Sequence, residues 1–373
     1  MNRPYFCFSS RTLVFAVILL GRPDFGGEWK LHQNEGNVVS GQVTLMVNQA
    51  WIDANPKEAG YYWGLGEVNY YRDPLKAERL CLKAVALDPK FAKAWHTLSL
   101  LAEMKGDNKA SRDYLLRATE ANPQNADYFF YYSRRVIDHD PVEGQKLALE
   151  VVRRFPASER AAQSLYWLGV DSEKPADKIV YLERLRKEFP PNKFSWSSSG
   201  MSNLFDVYAD TDPSQAIALG RDMSALMPKD MSWAALVSFE EILQKARALI
   251  SEKRPAEALA LLDVAKPPLK AGPDRIAILK AEAEAADDKV QRAFDRLAPF
   301  VATRPTERTY RTLLKYGSQL NRSAAAVDAD LAARRDTIAT PAARFILPTY
   351  DGKTASLADF RGKIVLLNFW YPG

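Results

Sequence analysis

Apolar residues recur at helical spacing through the middle of the chain, and prolines interrupt this pattern at regular intervals. The interruptions fall at Pro56, Pro89, Pro123, Pro156 and Pro190, which are evenly spaced along the chain. A proline cannot continue the helix before it, because it has no backbone N–H and its ring clashes with the preceding turn. Two helices fit between successive prolines, so the pattern predicts a series of helical hairpins.

The clearest hairpin predicted by this pattern ends at Pro123. Three residues share one face of its first helix, two form a turn, and three form the stripe of its second helix. In chain order these residues are Trp95, Leu98, Ala102, Gly106, Asp107, Ser111, Leu115 and Ala118. Because no hairpin can bury its own apolar face, neighbouring hairpins are expected to stack into a solenoid with one continuous core.

Beyond Pro190 the spacing lengthens, since Pro228, Pro267, Pro305 and Pro341 follow at wider and less even intervals. Helical pairs persist in this part of the chain, but the residues that mark the repeat become less regular. The sequence therefore predicts a mostly α protein in which the second half is a degenerate form of the first.

The predicted helical region covers residues 38–336 and holds seven to eight hairpins. Residues 38–190 carry the repeat clearly, whereas residues 191–336 carry its degenerate form. This division is a prediction about domain organisation within one helical array.

The clearest hairpin resembles the tetratricopeptide repeat, which is a pair of antiparallel helices with small residues where they cross. In that family's pattern the aromatic position is Trp95, the leucine is Leu98 and the small second-helix residue is Ala118, while Ser99 replaces the usual glycine. The resemblance implies a concave surface that binds a peptide or a protein partner. The positions that it places on this surface are Lys93, His96, Leu100 and Glu103.

Other chemistry-bearing residues in the helical region are expected to be structural. The aromatic residues 128–132 could line a groove, but helix packing is favoured for most of them. Residues 138–140, Asp-His-Asp, precede a proline and indicate a solvated turn, because no second group of metal ligands lies nearby in sequence. The serine-rich residues 195–202 are expected to form a loop before a helix. No catalytic, metal or cofactor site is predicted in this region.

The N-terminus has the pattern of a secretory signal. Arg3 and Arg11 precede an apolar run over residues 13–20, with no acidic residue before Asp24. We expect residues 1–24 to be a signal peptide and the protein to be extracytoplasmic, in the periplasm or cell envelope. An uncleaved signal would act as a membrane anchor. The alternative of a cytoplasmic protein with an apolar N-terminal tip stays open, because the region lacks an Ala-x-Ala cleavage pattern.

Composition and cysteine content disfavour a nucleic-acid-binding protein and a disulfide-stabilised fold. Hydrophobic residues make up 47% and charged residues 26% of the chain, and the net charge is +5. Because cations and anions are interspersed, no nucleic-acid partner is expected. Of the two cysteines, Cys7 lies in the predicted signal and Cys81 in a helical pattern, where it is expected to be a small buried apolar residue.

After the helical region the pattern changes to short extended segments. Residues 337–344 form a predicted linker, and a strand, the Asp351-Gly352 turn and a second short strand follow. Ser356 is placed to cap one helical turn. Residues 364–370 predict a further strand, apolar on both faces at its start.

Residues 345–373 resemble the start of an extracytoplasmic thioredoxin-like domain of the TlpA type, related to the AhpC/TSA group. The matching positions are Phe345, Leu347, Gly352, Lys353, Leu357, Phe360, Gly362, Lys363, Asn368, Phe369 and Trp370. In that family three residues follow the tryptophan and then a redox Cys-x-x-Cys begins. Here the three are Tyr371, Pro372 and Gly373, so we expect a truncated α/β domain whose catalytic cysteines lie beyond Gly373.

The two resemblances together imply an exported thiol–disulfide oxidoreductase that needs no cofactor. Its repeat region would bind a partner, and its complete redox domain would act on disulfide-bearing proteins. Two alternatives stay open: a non-enzymatic scaffold that binds peptides or proteins, and a peroxiredoxin-like antioxidant enzyme. Peroxiredoxins also carry an aromatic-Tyr-Pro sequence after this strand, with the reactive cysteine several residues further on.

Overall fold

The protein, seen in a computed structural model, is mostly α-helical. The structure describes residues 57–268, 272–340, 344–348, 353–362 and residue 365. These residues form sixteen α-helices, two short strands and one turn of 3-10 helix. The helices are α1 (Ala59–Asn69), α2 (Pro74–Leu87), α3 (Ala92–Met104), α4 (Asn108–Ala121), α5 (Ala126–Ile137), α6 (Pro141–Arg154), α7 (Glu159–Asp171), α8 (Pro175–Glu188), α9 (Ser195–Thr211), α10 (Pro213–Leu226), α11 (Ser232–Ser251), α12 (Pro255–Val264), α13 (Pro273–Ala286), α14 (Val290–Thr303), α15 (Glu307–Gln319) and α16 (Ala324–Ile338).

The predicted hairpin pattern is confirmed. Each predicted proline break from Pro89 to Pro305 falls between two helices, while Pro56 and Pro341 lie outside the described residues. Polar side chains fix where helices begin: the carboxylate of Asp107 accepts from the backbone N–H of Ala110 at the start of α4. Such a cap satisfies an N–H that has no partner within its own helix.

The described residues divide into two compact units, one that ends at Thr211 and one that begins at Asp212. In the first unit α1 pairs with α2, α3 with α4, α5 with α6 and α7 with α8, and α9 packs on both α7 and α8. The first helix of one hairpin also contacts the first helix of the next, as α1 does with α3 and α5 does with α7. The first helices therefore line up along one face of this unit.

Small residues allow the two helices of a hairpin to cross closely. A Cβ added at Gly66 on α1 would lie 2.6 Å from Sγ of Cys81 on α2. A Cβ at Gly169 on α7 would lie 2.7 Å from Cγ of Leu182 on α8. Since carbon atoms do not approach so closely, glycine is required at both crossings.

The prediction of a loop at residues 195–202 is wrong, because these residues begin helix α9. Ser197, Gly200 and Met201 are buried there. A Cβ at Gly200 would lie 2.6 Å from Cδ2 of Leu185 on α8. The small side chains therefore let α9 pack closely on the preceding hairpin, and this tertiary contact outweighs the weak helix propensity of serine.

The second unit has an alanine-rich core and a buried charge pair. Its core cluster consists of Ala281, Ala293, Phe294, Leu297, Ala298, Val301, Ala302, Leu313, Tyr316, Val327 and Leu331. Glu240 on α11 is fully buried and accepts from Arg247 at 2.9 Å and from Arg275 of α13 at 3.3 Å. One carboxylate thus compensates two guanidinium groups between these helices.

A short β-hairpin follows the helices. Strands β1 (Ile346–Pro348) and β2 (Thr354–Ser356) pair antiparallel, with Leu347 opposite Ala355. The carboxylate of Asp359 accepts from the backbone N–H and the hydroxyl of Ser356, so Ser356 begins one 3-10 turn as predicted. Apart from residue 365, the predicted strand over residues 364–370 lies outside the described residues.

The predicted signal peptide also lies outside the described residues. Within the part of the chain that the structure describes, no helix is both long and apolar enough to cross a membrane.

Candidate functional site

The first helices of the first unit present one continuous surface, called here the first-helix face. It combines partly exposed rings with charged groups that contact one another across neighbouring helices. Its principal members are Trp63, Lys93, His96, Leu100, Glu103, Asp127, Tyr131, Arg134, Arg135, Arg160, Trp167 and Asp171.

All four residues predicted to bind a peptide lie on α3 and face this surface together. Lys93 and Glu103 are exposed, and His96 and Leu100 are half-buried. The ammonium group of Lys93 lies 5.1 Å from the ring centre of Trp63 on α1. Glu103 forms an ion pair with Arg135 of α5. Lys93 and Glu103 therefore lie at contacts between neighbouring first helices, and Leu100 lies between them on the same helix face.

His96 connects α3 to the aromatic residues of α5. Its ring centre is 5.3 Å from that of Tyr128 and 5.7 Å from that of Tyr131. Burial lowers the pKa of His96, and the Arg160 guanidinium lowers it further, while Glu67 and Asp127 oppose this change. The imidazole is therefore uncharged at neutral pH.

Two further ion pairs join α5 to α7. Nε of Arg160 lies 2.6 Å from Oδ1 of Asp127, and Nη1 of Arg134 lies 2.7 Å from Oδ2 of Asp171. Sequence reasoning missed these four residues. A usable signal was present, because the partners have opposite charge and are separated by 33 and 37 residues, close to one repeat.

The arginines of these pairs also lie against aromatic rings. The guanidinium of Arg134 is 5.0 Å from the ring centre of Trp167, and that of Arg160 is 4.8 Å from the ring centre of Tyr131. Arg160 also donates to the Tyr131 hydroxyl at 3.0 Å. Contacts of this kind hold the side chains in fixed positions, which lowers the entropy lost when a partner binds.

A hydrogen-bonded chain links α1 to α3. Nε1 of Trp63 donates to Oγ1 of Thr97 at 3.0 Å, and the Thr97 hydroxyl donates to Oε1 of Glu67 at 2.6 Å. Thr97 is buried and Trp63 is half-buried. The register of these two helices is therefore fixed by polar as well as apolar contacts.

An open cleft adjoins the first-helix face where α5, α7 and α9 begin. It has a volume of about 640 Å³ and is widely open to solvent. Its lining consists of Gln124, Asn125, Ala126, Asp127, Ser158, Glu159, Arg160 and Trp196. Unlike the stacked arginine–aromatic contacts, this space is available to a partner.

The other residues singled out in the sequence lie away from the first-helix face or are buried within the helices. Cys81 is fully buried, and burial raises the pKa of its thiol to about 12, so the prediction of a small apolar role is confirmed. His139 lies in an exposed turn, and the described residues contain no group of three side chains suited to a metal. Of the aromatic residues 128–132, Tyr128 and Phe130 are buried.

No family model matches the sequence, and no curated protein matches it. Among solved structures, the protein YrrB, described as a TPR protein with an unusual peptide-binding site, is 16% identical with a TM-score of 0.36, over 49% of this chain and 94% of YrrB. Pseudomonas aeruginosa pilF is 15% identical with a TM-score of 0.36, over 68% of this chain and 95% of pilF. Yeast Tom70 is 16% identical with a TM-score of 0.37, over 80% of this chain and 60% of Tom70. At these values the similarity carries no conclusion about function.

Proposed function

We propose that this chain is a protein-binding scaffold that receives a peptide segment of its partner on the first-helix face of the first unit. Lys93, His96, Leu100 and Glu103 form the central part of the proposed site. The described helices supply a rigid surface, and nothing in this proposal requires catalytic chemistry.

One observation carries the proposal: partly exposed aromatic rings and fixed charge pairs lie side by side on successive helices and border an open cleft. Trp63, Tyr131, Trp167 and Trp196 are all half-buried. Partly exposed aromatic residues give large contact areas at low entropic cost, and they are common in binding surfaces. An ordinary solvated helix face would instead carry isolated charged side chains.

The test is a selection with random dodecapeptides displayed on phage against the immobilised full chain. Recovered peptides are then measured against Leu100→Gln and against Leu116→Gln, a matched control on α4 whose side chain is exposed. We expect Leu100→Gln to weaken binding by about fivefold or more, because it places a polar group in an apolar contact. Equal loss in both variants, or none in Leu100→Gln, would contradict the proposal.

A thiol–disulfide oxidoreductase is the second candidate, and the β-hairpin favours it. Ile346 is 74% exposed, Leu347 is 54% exposed and Phe360 is 37% exposed. Such apolar exposure is expected of a segment that belongs to a larger sheet. Cys81 is buried, and Cys7 lies too far from it in sequence to form a Cys-x-x-Cys pair, so this candidate needs cysteines outside residues 1–373.

Two measurements test this second candidate. The chain that ends at Gly373 should not reduce insulin disulfides, because it has no Cys-x-x-Cys pair and Cys81 is buried. The coding sequence after Gly373 should place a cysteine at the next position and another at the third position after that. A stop codon there would exclude the oxidoreductase, and a first cysteine at least five positions on would favour the peroxiredoxin-like alternative.

We also propose export, on the pattern of residues 1–24 alone. Fusion of residues 1–40 to an alkaline phosphatase that is active only after export tests this directly. Activity lost on Arg3→Glu with Arg11→Glu supports a signal function. Absence of activity in the unmodified fusion would indicate a cytoplasmic protein.

A further inference from the structure

The cleft at the start of α5, α7 and α9 defines the chemistry of the peptide that this chain would select, and this inference rests on the proposed function. Three helices meet at the cleft, and each contributes at least one side chain to its lining. Its charges, its uncharged polar groups and its aromatic wall each restrict the occupant.

Each charged group that lines the cleft already has a hydrogen-bond partner. Oδ1 of Asp127 accepts from Nε of Arg160 at 2.6 Å, and the other two guanidinium nitrogens of Arg160 donate to Gln163 and Tyr131. Oε1 of Glu159 accepts from the backbone N–H of Ser195, at the start of α9, at 2.9 Å. The two carboxylates also offset the positive ends of the helix dipoles. The cleft therefore has no strong preference for an anion or a cation.

Uncharged polar groups provide the remaining hydrogen-bonding capacity. Oδ1 of Asn125 accepts from the backbone N–H of Asp127 at 2.8 Å, which leaves its amide N–H groups to donate. Gln124 is exposed beside it and offers the same amide donors. Such groups suit the backbone carbonyls of an extended peptide, which have no internal partners.

Trp196 forms the aromatic wall of the cleft. Its ring centre lies 5.1 Å from that of Tyr166 and 6.1 Å from that of Trp167, so neighbouring rings on α7 hold it in place. It is half-buried and lines the open space. A fixed indole offers a flat apolar surface, which binds the ring of a proline or of an aromatic side chain.

We infer that the cleft binds an uncharged, extended segment of a partner protein, with a proline or aromatic ring packed against Trp196. Extended proline-rich segments lose little entropy on binding, because they are already in that conformation before contact. The carboxylates of this cleft already accept hydrogen bonds, so a charged segment would gain little there to offset the lost hydration of its own charge.

The experiment uses the peptides recovered from the random dodecapeptide selection, together with blocked decaproline as a defined probe. Recovered sequences should be enriched in proline and aromatic residues and low in net charge. Their affinities should change by less than about threefold between roughly 50 and about 500 mM NaCl, since screening affects only charged contacts. Trp196→Ala should weaken them by about tenfold or more, as for a buried aromatic anchor.

Trp196→Phe is the matched variant, because it keeps a ring and should stay within about threefold of the native affinity. Gln124→Ala, in an exposed position that does not affect folding, should weaken binding by about threefold. Far-UV circular dichroism of each variant confirms that the helices remain.

The possible results separate the inference from the proposed function. Peptides that depend on Leu100 but are charged, salt-sensitive and indifferent to Trp196→Ala would overturn the inference and leave the proposed function standing. If no recovered peptide depends on Leu100 or on Trp196, both fail. For uncharged proline or aromatic peptides, loss in Leu100→Gln and in Trp196→Ala, with retention in Trp196→Phe, supports both.

Discussion

The two units of the chain use the same helical hairpins but differ in what joins one hairpin to the next. In the first unit, neighbouring first helices meet through aromatic rings and partly exposed ion pairs, such as Arg160 with Asp127. In the second unit, a fully buried Glu240 holds Arg275 across α11 and α13, beside an alanine-rich core. The ion pairs between first helices are therefore partly exposed in the first unit, whereas the second unit has one that is buried.

This difference shows that the hairpin architecture and the binding chemistry have separate causes. Prolines and close crossings recur in both units: a Cβ at Gly317 on α15 would lie 2.7 Å from Cγ2 of Val327 on α16, much as at Gly66 in the first unit. Repeat architecture can thus persist while the surface that it supports changes.

The largest expected effect is in the second unit. Glu240→Ala should lower the free energy of unfolding by about 3–5 kcal/mol, because it removes one partner of a buried ion pair, in which Glu240 is fully buried and Arg275 is only 5% exposed. The adjacent Glu241→Ala removes an exposed ion pair with Arg221 and should cost less than about 1 kcal/mol. Urea denaturation of both variants measures the contrast. Equal losses would mean that the buried pair contributes no more than a surface pair.

A smaller loss is expected from overpacking a hairpin of the first unit. Gly66→Ala should cost about 1–3 kcal/mol, since its Cβ would lie 2.6 Å from Sγ of Cys81. Gly64→Ala is the control on the same helix, where no atom lies within 4 Å and the change should stabilise by up to about 1 kcal/mol. Combining Gly66→Ala with Cys81→Ala should restore part of the loss. If both glycine variants were equally stable, the prediction that α1 and α2 cross too closely for a Cβ at residue 66 would be wrong.

Acid should weaken the first unit through His96. Its pKa is lowered in the folded state, so the unfolded chain binds the proton more readily, and stability is lost as the pH falls below the unfolded value of about 6.5. His96→Gln should flatten this acid dependence between pH 7.5 and pH 5.5, measured by urea denaturation. His139→Gln, in an exposed turn, should leave the acid dependence unchanged. If the His96→Gln variant kept the acid dependence of the native protein, groups other than His96 would be its cause.

The smallest expected signal is the labelling of one buried thiol, that of Cys81. In a Cys7→Ser variant Cys81 is the only cysteine, and a maleimide should not label it at pH 8 in the folded chain, because it is fully buried and the pKa of its thiol is about 12. Full labelling should appear in denaturant. Rapid labelling of the folded chain would show that α1 and α2 separate readily.

Much of the helical fold could be predicted because its signals are local. Each proline removes a backbone donor at a fixed place, and the small residues at helix crossings, such as Ala118, are fully buried as their spacing indicated. The start of α9 could not be predicted in this way. Its serines favour a loop locally, and only the close contact between Gly200 and Leu185 shows why a helix forms.

The candidate site was predicted only in part, because its residues come from several helices. The four residues on α3 share a helix face, which periodicity reveals, but their partners Tyr131, Arg135 and Arg160 lie one or two hairpins away. Which helix faces pack together depends on tertiary geometry. The compensated charges of the cleft, which decide its chemistry, could not be inferred from residue types alone.

Hydrogen exchange with a bound peptide tests the difference between the units most directly. With a peptide recovered by selection, amide protection should increase in α3, α5, α7 and the start of α9, because these helices carry the first-helix face and the cleft. Helices α11, α13 and α15, which hold the corresponding place in the second unit, should be unchanged. Protection confined to those three helices would contradict the assignment of the binding surface to the first unit.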